Sequence, residues 1–289
     1  QEEALDVQMV CTVNPNANIW VVEAKSASST DLLSAVNYAT NTIKADVLSM
    51  SWGQSEYPQL TALNGAFTNT NVCYCAASGD ENIVSWPATN VNCVAVGGTS
   101  LIWTPTATPN RTEYAWNCAG CGYSSINPQP NYQTEVTGIL HSYRAIPDLA
   151  MVADSNTSVY TVYNGNWYGV GGTSVATPIF AGILSLANQQ RFNSGKAALT
   201  TVYSTTPNIA SKPTYVPSAN HLQTFLYKKV YTNLAQYSGI FYDVTIGTNL
   251  GSATNSSKLV TYNSTTGFDI TTGLGSPNAT VMCNALLTL

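Results

Sequence analysis

Charge is scarce in this chain. Ten Lys and Arg and fifteen Asp and Glu make up 9% of 289 residues and leave a net charge of −5. An ordinary soluble domain carries roughly 25%. Such a surface has no basic patch to neutralise phosphates, which excludes nucleic acid and anionic membranes as partners. It also gains little self-repulsion on acidification, which suits acid surroundings. No apolar run is long enough for a membrane-spanning helix. No secretory leader stands at the start. The chain opens on Gln1 rather than Met, so it is expected to be processed. Histidine is nearly absent, with His141 and His221 the only two. A nucleophile that needs a base would have to find it elsewhere.

What is present is apolar and small polar. Apolar residues make 44% of the chain, ample for a core. No composition break marks a linker, and 1–289 reads as a single domain. Seven cysteines (Cys11, Cys73, Cys75, Cys93, Cys118, Cys121 and Cys283) accompany five Asn-x-Ser/Thr sequons, at Asn110, Asn156, Asn255, Asn263 and Asn278. Together they point to a glycoprotein of a secreted or lysosome-like acidic compartment. Cys118-x-x-Cys121 has no second pair or histidines to make a zinc site, so a structural disulfide is expected.

The periodicity predicts an α/β fold. Glu2 to Cys11 reads as a short helix with Leu5 and Met9 on one face. Strands are expected over Ile19–Ala24, Val47–Trp52, Val72–Ala77 and Cys93–Val96, with helices over Leu32–Ile43 and Leu60–Phe67. Strands alternating with helices imply a parallel sheet with right-handed crossovers. Hairpins are expected within Leu101–Trp116 and Ser158–Tyr168. A central buried helix should run from Ser174 to Arg191, and an amphipathic one from Leu222 to Tyr231.

Gly171-Gly172-Thr173-Ser174 opens that central helix. The glycines allow a sharp turn, and Pro178 is placed in the first turn, where its missing N–H costs little. A serine at the positive end of a helix suits a nucleophile whose attack creates an oxyanion. The bland reading is an N-cap. Ser51-Trp52-Gly53, Gly79-Asp80 and Gly97-Gly98 all fall at strand ends, where such sheets carry their sites. Glu2 and Asp6 are four apart and share a helix face. Like charges there either share a proton or form a solvated acidic first turn.

With these motifs in this order, the chain resembles the sedolisin family of serine-carboxyl peptidases, and within it the tripeptidyl-peptidase I-like branch. The resemblance rests on Glu2-Glu3-Ala4-Leu5-Asp6, Val47 to Gly53, Ala77-Ser78-Gly79-Asp80, Trp86-Pro87-Ala88, Arg144 to Asp148, Gly172-Thr173-Ser174, and Phe268 to Asn278. It implies a subtilisin-like fold with a central parallel sheet. It implies acid peptide hydrolysis with Ser174 as nucleophile, Glu2 as general base, Asp6 supporting Glu2 and Asp80 as oxyanion donor. A carboxylate remains a usable base where histidine would be protonated. Ser51, Trp52, Gly53 and Gly79 would bind the peptide or protein substrate. One structural Ca2+ is implied within a loop region of about 240–280, at Asp243, Val244, Thr265, Gly267 and Asp269; carboxylates with backbone carbonyls suit a hard cation.

The family carries a further stretch ahead of its glutamate, contributing strands, and this chain lacks that N-terminal segment. That stretch is expected either to be a second chain from the same precursor, bound as partner as in a processed zymogen, or to have been lost. Seven cysteines leave an odd thiol, which either bridges to such a chain or is a buried free cysteine such as Cys73 or Cys75. The rival reading is a non-catalytic glycoprotein on the same scaffold.

Overall fold

The computed structural model describes residues 1–104, 110–139, 141–202, 204–206, 214–216, 218–250 and 260–289. Its centre is a sheet of four parallel strands, β1 (Val47–Met50), β2 (Cys73–Ala77), β3 (Cys93–Thr104) and β5 (Leu149–Val152). β1 pairs with β2, β2 with β3 and β3 with β5. The outer half of β3 runs on as a hairpin with β4 (Asn110–Ala115), the register joining Thr99 to Ala115 and Thr104 to Asn110. The sequence places this hairpin correctly; residues 105–109 lie outside the described residues, as does the sequon at Asn255.

Alternation along the strands decides the two layers. Cys73, Cys75, Val94 and Val96 face one side and pack with α3 (Thr173–Asn193) and α4 (Ala279–Leu286). Tyr74, Ala76, Cys93 and Ala95 face the other, against Leu33 and Val36 of α2 (Ser29–Tyr38) and the aromatic group Phe67 and Trp86. Successive side chains on a strand point to opposite faces, and a sheet covered on both faces reads as a continuous apolar run.

Helix α1 (Glu2–Val13) lies along α3 and buries Leu5 and Met9 against Val175. Each such side chain stabilises the docking by about 2 kcal/mol. The two helices run parallel. Leu5 and Met9 meet Val175, Val13 meets Gly182, and Asn14 Nδ2 donates to Ser185 Oγ at 2.9 Å. A Cβ on Gly182 would stand 2.7 Å from Val13 Cβ, so a side chain there would push the helices apart. A second hairpin, β6 (Val159–Tyr163) with β7 (Asn166–Val170), clamps α1 from outside. Gln8 mimics a strand there, its amide accepting from Val162 N and donating to Val162 O, both at 2.9 Å.

Three expectations need correcting. Ile19–Ala24 forms no strand. An extended segment becomes a strand only with a backbone partner, and none of the described residues supplies one. Ile19, Trp20 and Val21 are exposed beside α2. Leu222–Tyr231 is not an amphipathic helix. It begins as an α-helical turn, Leu222–Phe225, widens into a π-helical one, Leu226–Val230, and is buried on most sides. Tyr227 donates there to the buried Asp148, itself paired with Arg144. Pro178 lies in the second turn of α3, not the first. The N–H it lacks is the one that would bond the Ser174 carbonyl.

All seven cysteines carry free thiols, Cys118 and Cys121 included, so the expected disulfide is not formed in this structure. Cys11 is exposed on α1, while Cys73 and Cys75 are buried in β2.

Candidate active site

The parallel packing of α1 and α3 brings two helix N-termini to one end of the sheet, where β1 and β2 also finish. Each N-terminus presents unbonded N–H groups and a partial positive charge. At the N-terminus of α3 lies a cleft of about 310 Å³ whose lining includes Ser51, Trp52, Gly53, Gly79, Asp80 and Ser174. Six sequence-predicted residues therefore share one cavity, and α1 joins it through a hydrogen bond. Ser51 Oγ donates to Asp6 Oδ1 at 2.6 Å.

Ser174 is the second residue of α3, and the N-cap is Gly172. The bland reading of Ser174 as the cap is thereby removed. Gly172 has φ of 120°, a left-handed region that glycine enters without strain. Ser174 is half-buried.

Asp80 is locked to Thr173, the residue before Ser174. Its Oδ1 accepts from Thr173 N at 2.8 Å and from Thr173 Oγ1 at 2.7 Å. The loop beneath is braced by the 116–121 turn. Gly120 N donates to Gly79 O at 2.6 Å, and Asn82 N to Cys118 O at 3.1 Å. In the sequence, Thr173 stands within the motif without an assigned role. Its signal was there, a hydroxyl directly before Ser174, but nothing local shows that it reaches an aspartate 93 residues away. Trp52 forms the opposite wall, its ring 6.1 Å from that of Trp86.

Burial raises the Asp6 carboxyl to about 6 from its ordinary 3.8, helped by repulsion from Glu2 and Glu3 and opposed by the Ser51 bond. Asp6 therefore holds a proton at mildly acid pH. Glu2 is exposed at the start of α1. Among the described residues neither a Glu2–Ser174 nor a Glu2–Asp6 hydrogen bond is formed.

The five expected calcium positions meet in one loop cluster. Gly267 N donates to Asp243 Oδ2 at 2.8 Å, Thr265 N to Asp269 Oδ2 at 3.0 Å, and Val244 is buried beside them. No group of three or more His, Cys, Asp or Glu that could hold a metal ion occurs among the described residues, so any ion here depends on backbone carbonyls. The donor set nonetheless fits. Asp269 is 5% exposed, and all its partners are neutral N–H and O–H groups. Burial raises its carboxyl above the ordinary range. A buried carboxylate without a cation is the group that a divalent ion stabilises.

A parallel α/β sheet with a serine at the head of its central helix defines the subtilisin-like class. A sequence profile of the subtilase family matches residues 3–240. The chain belongs to the subtilase family, on its sedolisin-type side. It is 28% identical over 226 residues to sedolisin of Pseudomonas sp. (strain 101), covering 66% of this chain and 38% of that protein. Kumamolisin of Bacillus sp. (strain MN-32) is 28% identical over 317 residues, covering 99% and 50%. Tripeptidyl-peptidase 1 of Homo sapiens is 27% identical over 326 residues, covering 99% and 52%. The solved structure of Pseudomonas sedolisin, a serine-carboxyl proteinase complexed with pseudo-iodotyrostatin, superimposes with a TM-score of 0.79 at 25% identity, over 99% of this chain and 78% of that one. The chain spans about half the length, or less, of these protein relatives.

Proposed function

We propose that this protein is an acid-acting serine-carboxyl peptidase that cleaves peptide bonds through an acyl-enzyme on Ser174. The observation that carries the reading is the single cleft shared by Ser174, Asp80 and the Ser51–Asp6 bond. Glu2 removes the Ser174 Oγ proton as Oγ attacks the peptide carbonyl. The developing oxyanion meets a proton on Asp80 and the Ser174 N–H, one of the first four of α3 that lack an intrahelical acceptor. Glu2 then passes its proton to the leaving amine. Water attacks the ester with Glu2 again as base. A protonated Asp6 donates to Glu2 without competing for its proton. Asp80 donates only in its protonated form, which acid pH favours, so an acidic optimum follows from the residue types.

The reading extends to one Ca2+ held by Asp243, Asp269 and the carbonyls of Val244, Thr265 and Gly267. It would tie the segments at Asp243 and Asp269 together and takes no part in the reaction. A processed secretory route to an acid compartment fits the sequons and sparse charge. A preceding segment of the same precursor is the proposed partner, and the unpaired, exposed Ile19–Val21 supports it. Electrophoresis of native material with and without reductant tests that association and any bridge through Cys11.

The exposed Glu2, unbonded to Ser174, favours one rival, a non-catalytic scaffold. A peptide aldehyde or phosphonate decides between them. Covalent labelling of Ser174 at acid pH, with hydrolysis of a peptide library, supports the peptidase. No labelling and no hydrolysis by the full-length, processed protein overturns it.

A further inference from the structure

Asp80 has two carboxyl oxygens, and the structure treats them differently. Oδ1 accepts two hydrogen bonds, from Thr173 N at 2.8 Å and Thr173 Oγ1 at 2.7 Å. Oδ2 accepts none among the described residues. It faces the space above Gly172, where an added Cβ would stand only 2.9 Å away. Glycine keeps that space open at the mouth of the cleft. Thr173 is 1% exposed, so its hydroxyl has no water to turn to. The hydroxyl is also oriented from behind. Gly79 N donates to Thr173 Oγ1 at 3.2 Å, which directs the Oγ1 proton forward onto Asp80. The backbone of Thr173 is fixed in turn, its carbonyl accepting from Thr177 Oγ1 at 2.8 Å.

A neutral carboxyl group has one carbonyl-like oxygen that accepts and one hydroxyl oxygen that donates. Two donors converging on Oδ1 make it the acceptor. We infer that Thr173 is a positioning residue that places the proton of neutral Asp80 on Oδ2, aimed into the cleft beside Ser174. Without Thr173 Oγ1 the proton divides between the two oxygens, and the carboxyl is freer to rotate. Both changes reduce the fraction of molecules with a donor already pointing at the developing oxyanion. Preorganised donors are what makes such stabilisation effective. The inference rests on the peptidase reading above and adds a residue that acts through Asp80.

The test uses the full-length, processed protein as wild type, Thr173→Val, Thr173→Ser, Asp80→Ala and the double variant Thr173→Val/Asp80→Ala. Loss of one hydrogen bond to the neutral carboxyl implies a fall in kcat of about 3- to 10-fold for Thr173→Val, with KM within about twofold. Thr173→Ser keeps the hydroxyl and recovers most of kcat. Removing Thr173 Oγ1 also deprives Gly79 N of its acceptor, so a purely structural cost is separated by the double variant. With Asp80 absent, Thr173→Val should cost less than about threefold. Wild-type kcat in Thr173→Val, a Thr173→Ser as slow as Thr173→Val, or penalties that multiply in the double variant each overturn the inference. The 13C signal of the Asp80 carboxyl gives a reading independent of turnover. It should move in Thr173→Val and return in Thr173→Ser, and an unchanged signal rejects the inference. A wild type that cleaves no peptide rejects the proposed activity alone.

Discussion

Between pH 6.5 and pH 4, two groups should push the stability of this fold in opposite directions. His221 is 1% exposed, and burial holds its imidazole down to about 4 from the ordinary 6.5. Its neutral form satisfies both nitrogens. Nδ1 accepts from Thr224 N at 3.0 Å, and Nε2 lies 3.0 Å from Thr201 O. A second proton would set N–H against N–H. The unfolded chain takes that proton near pH 6.5 and the folded chain only near 4. Acidification across this window therefore favours unfolding, by about 3 kcal/mol at ~1.4 kcal/mol per pH unit. Asp6 works the other way. Its folded carboxyl titrates near 6 and its unfolded one near 3.8, so the fold binds the proton first. That stabilisation is complete below 3.8 and is lost as pH rises through 6. Asp6 is only partly buried, which reduces its contribution to about 2 kcal/mol. The two nearly cancel in the wild type, and substitutions uncouple them. His221→Gln preserves an acceptor for Thr224 N and a donor for Thr201 O, and removes the titration. At about 2 °C per kcal/mol in a chain of this size, its melting temperature should gain about 6 °C on the wild type between pH 6.5 and pH 4. Asp6→Asn should lose about 4 °C over the same interval. Thermal melts followed by circular dichroism, in a Ser174→Ala background to prevent self-digestion, give both numbers. A His221→Gln profile that tracks the wild type within a degree would falsify the assignment.

Other outcomes follow from the same geometry. Ser174→Ala, Glu2→Gln and Asp80→Ala should each lower kcat by about a hundredfold or more, and full activity in Glu2→Gln removes it as the base. Exhaustive EDTA treatment at neutral pH should lower the melting temperature, because a ligand bound only to the native state stabilises it; an unchanged melt with no metal by elemental analysis removes the calcium site. Gly53→Ala should destabilise the cleft wall by about 1–3 kcal/mol, since a Cβ there would overlap Ser85 Oγ. Ser85→Ala should recover part of that loss, and equal urea midpoints for Gly53→Ala and wild type would show that the wall gives way freely.

The chain's local rules were written in the sequence. Alternating apolar residues through Cys73–Ala77 and Cys93–Val96 announced strands covered on both faces, because a period of two is a property of the strand alone. Four-residue spacing put Glu2 and Asp6 on one face of α1, and the Gly171-Gly172 turn placed Ser174 at a helix start, because helix geometry is local. The order of motifs identified the family. What depends on a partner distant in sequence was decided only in three dimensions. Ile19–Ala24 has strand composition and no ladder, since backbone pairing needs a second segment. Ser51 read as a substrate contact, and its hydroxyl also bonds Asp6, 45 residues away. Cys118 and Cys121 have the spacing of a pair, yet no disulfide joins them in the structure. Thr173 carries no signature of its own; its reach to Asp80 exists because β2 ends where α3 begins. The sequence thus named the chemical groups, and the packing of α1 and α3 against one end of the sheet determined which of them meet. Contact between residues far apart in the chain is set by the burial of whole helix and sheet faces, which no short window of sequence contains.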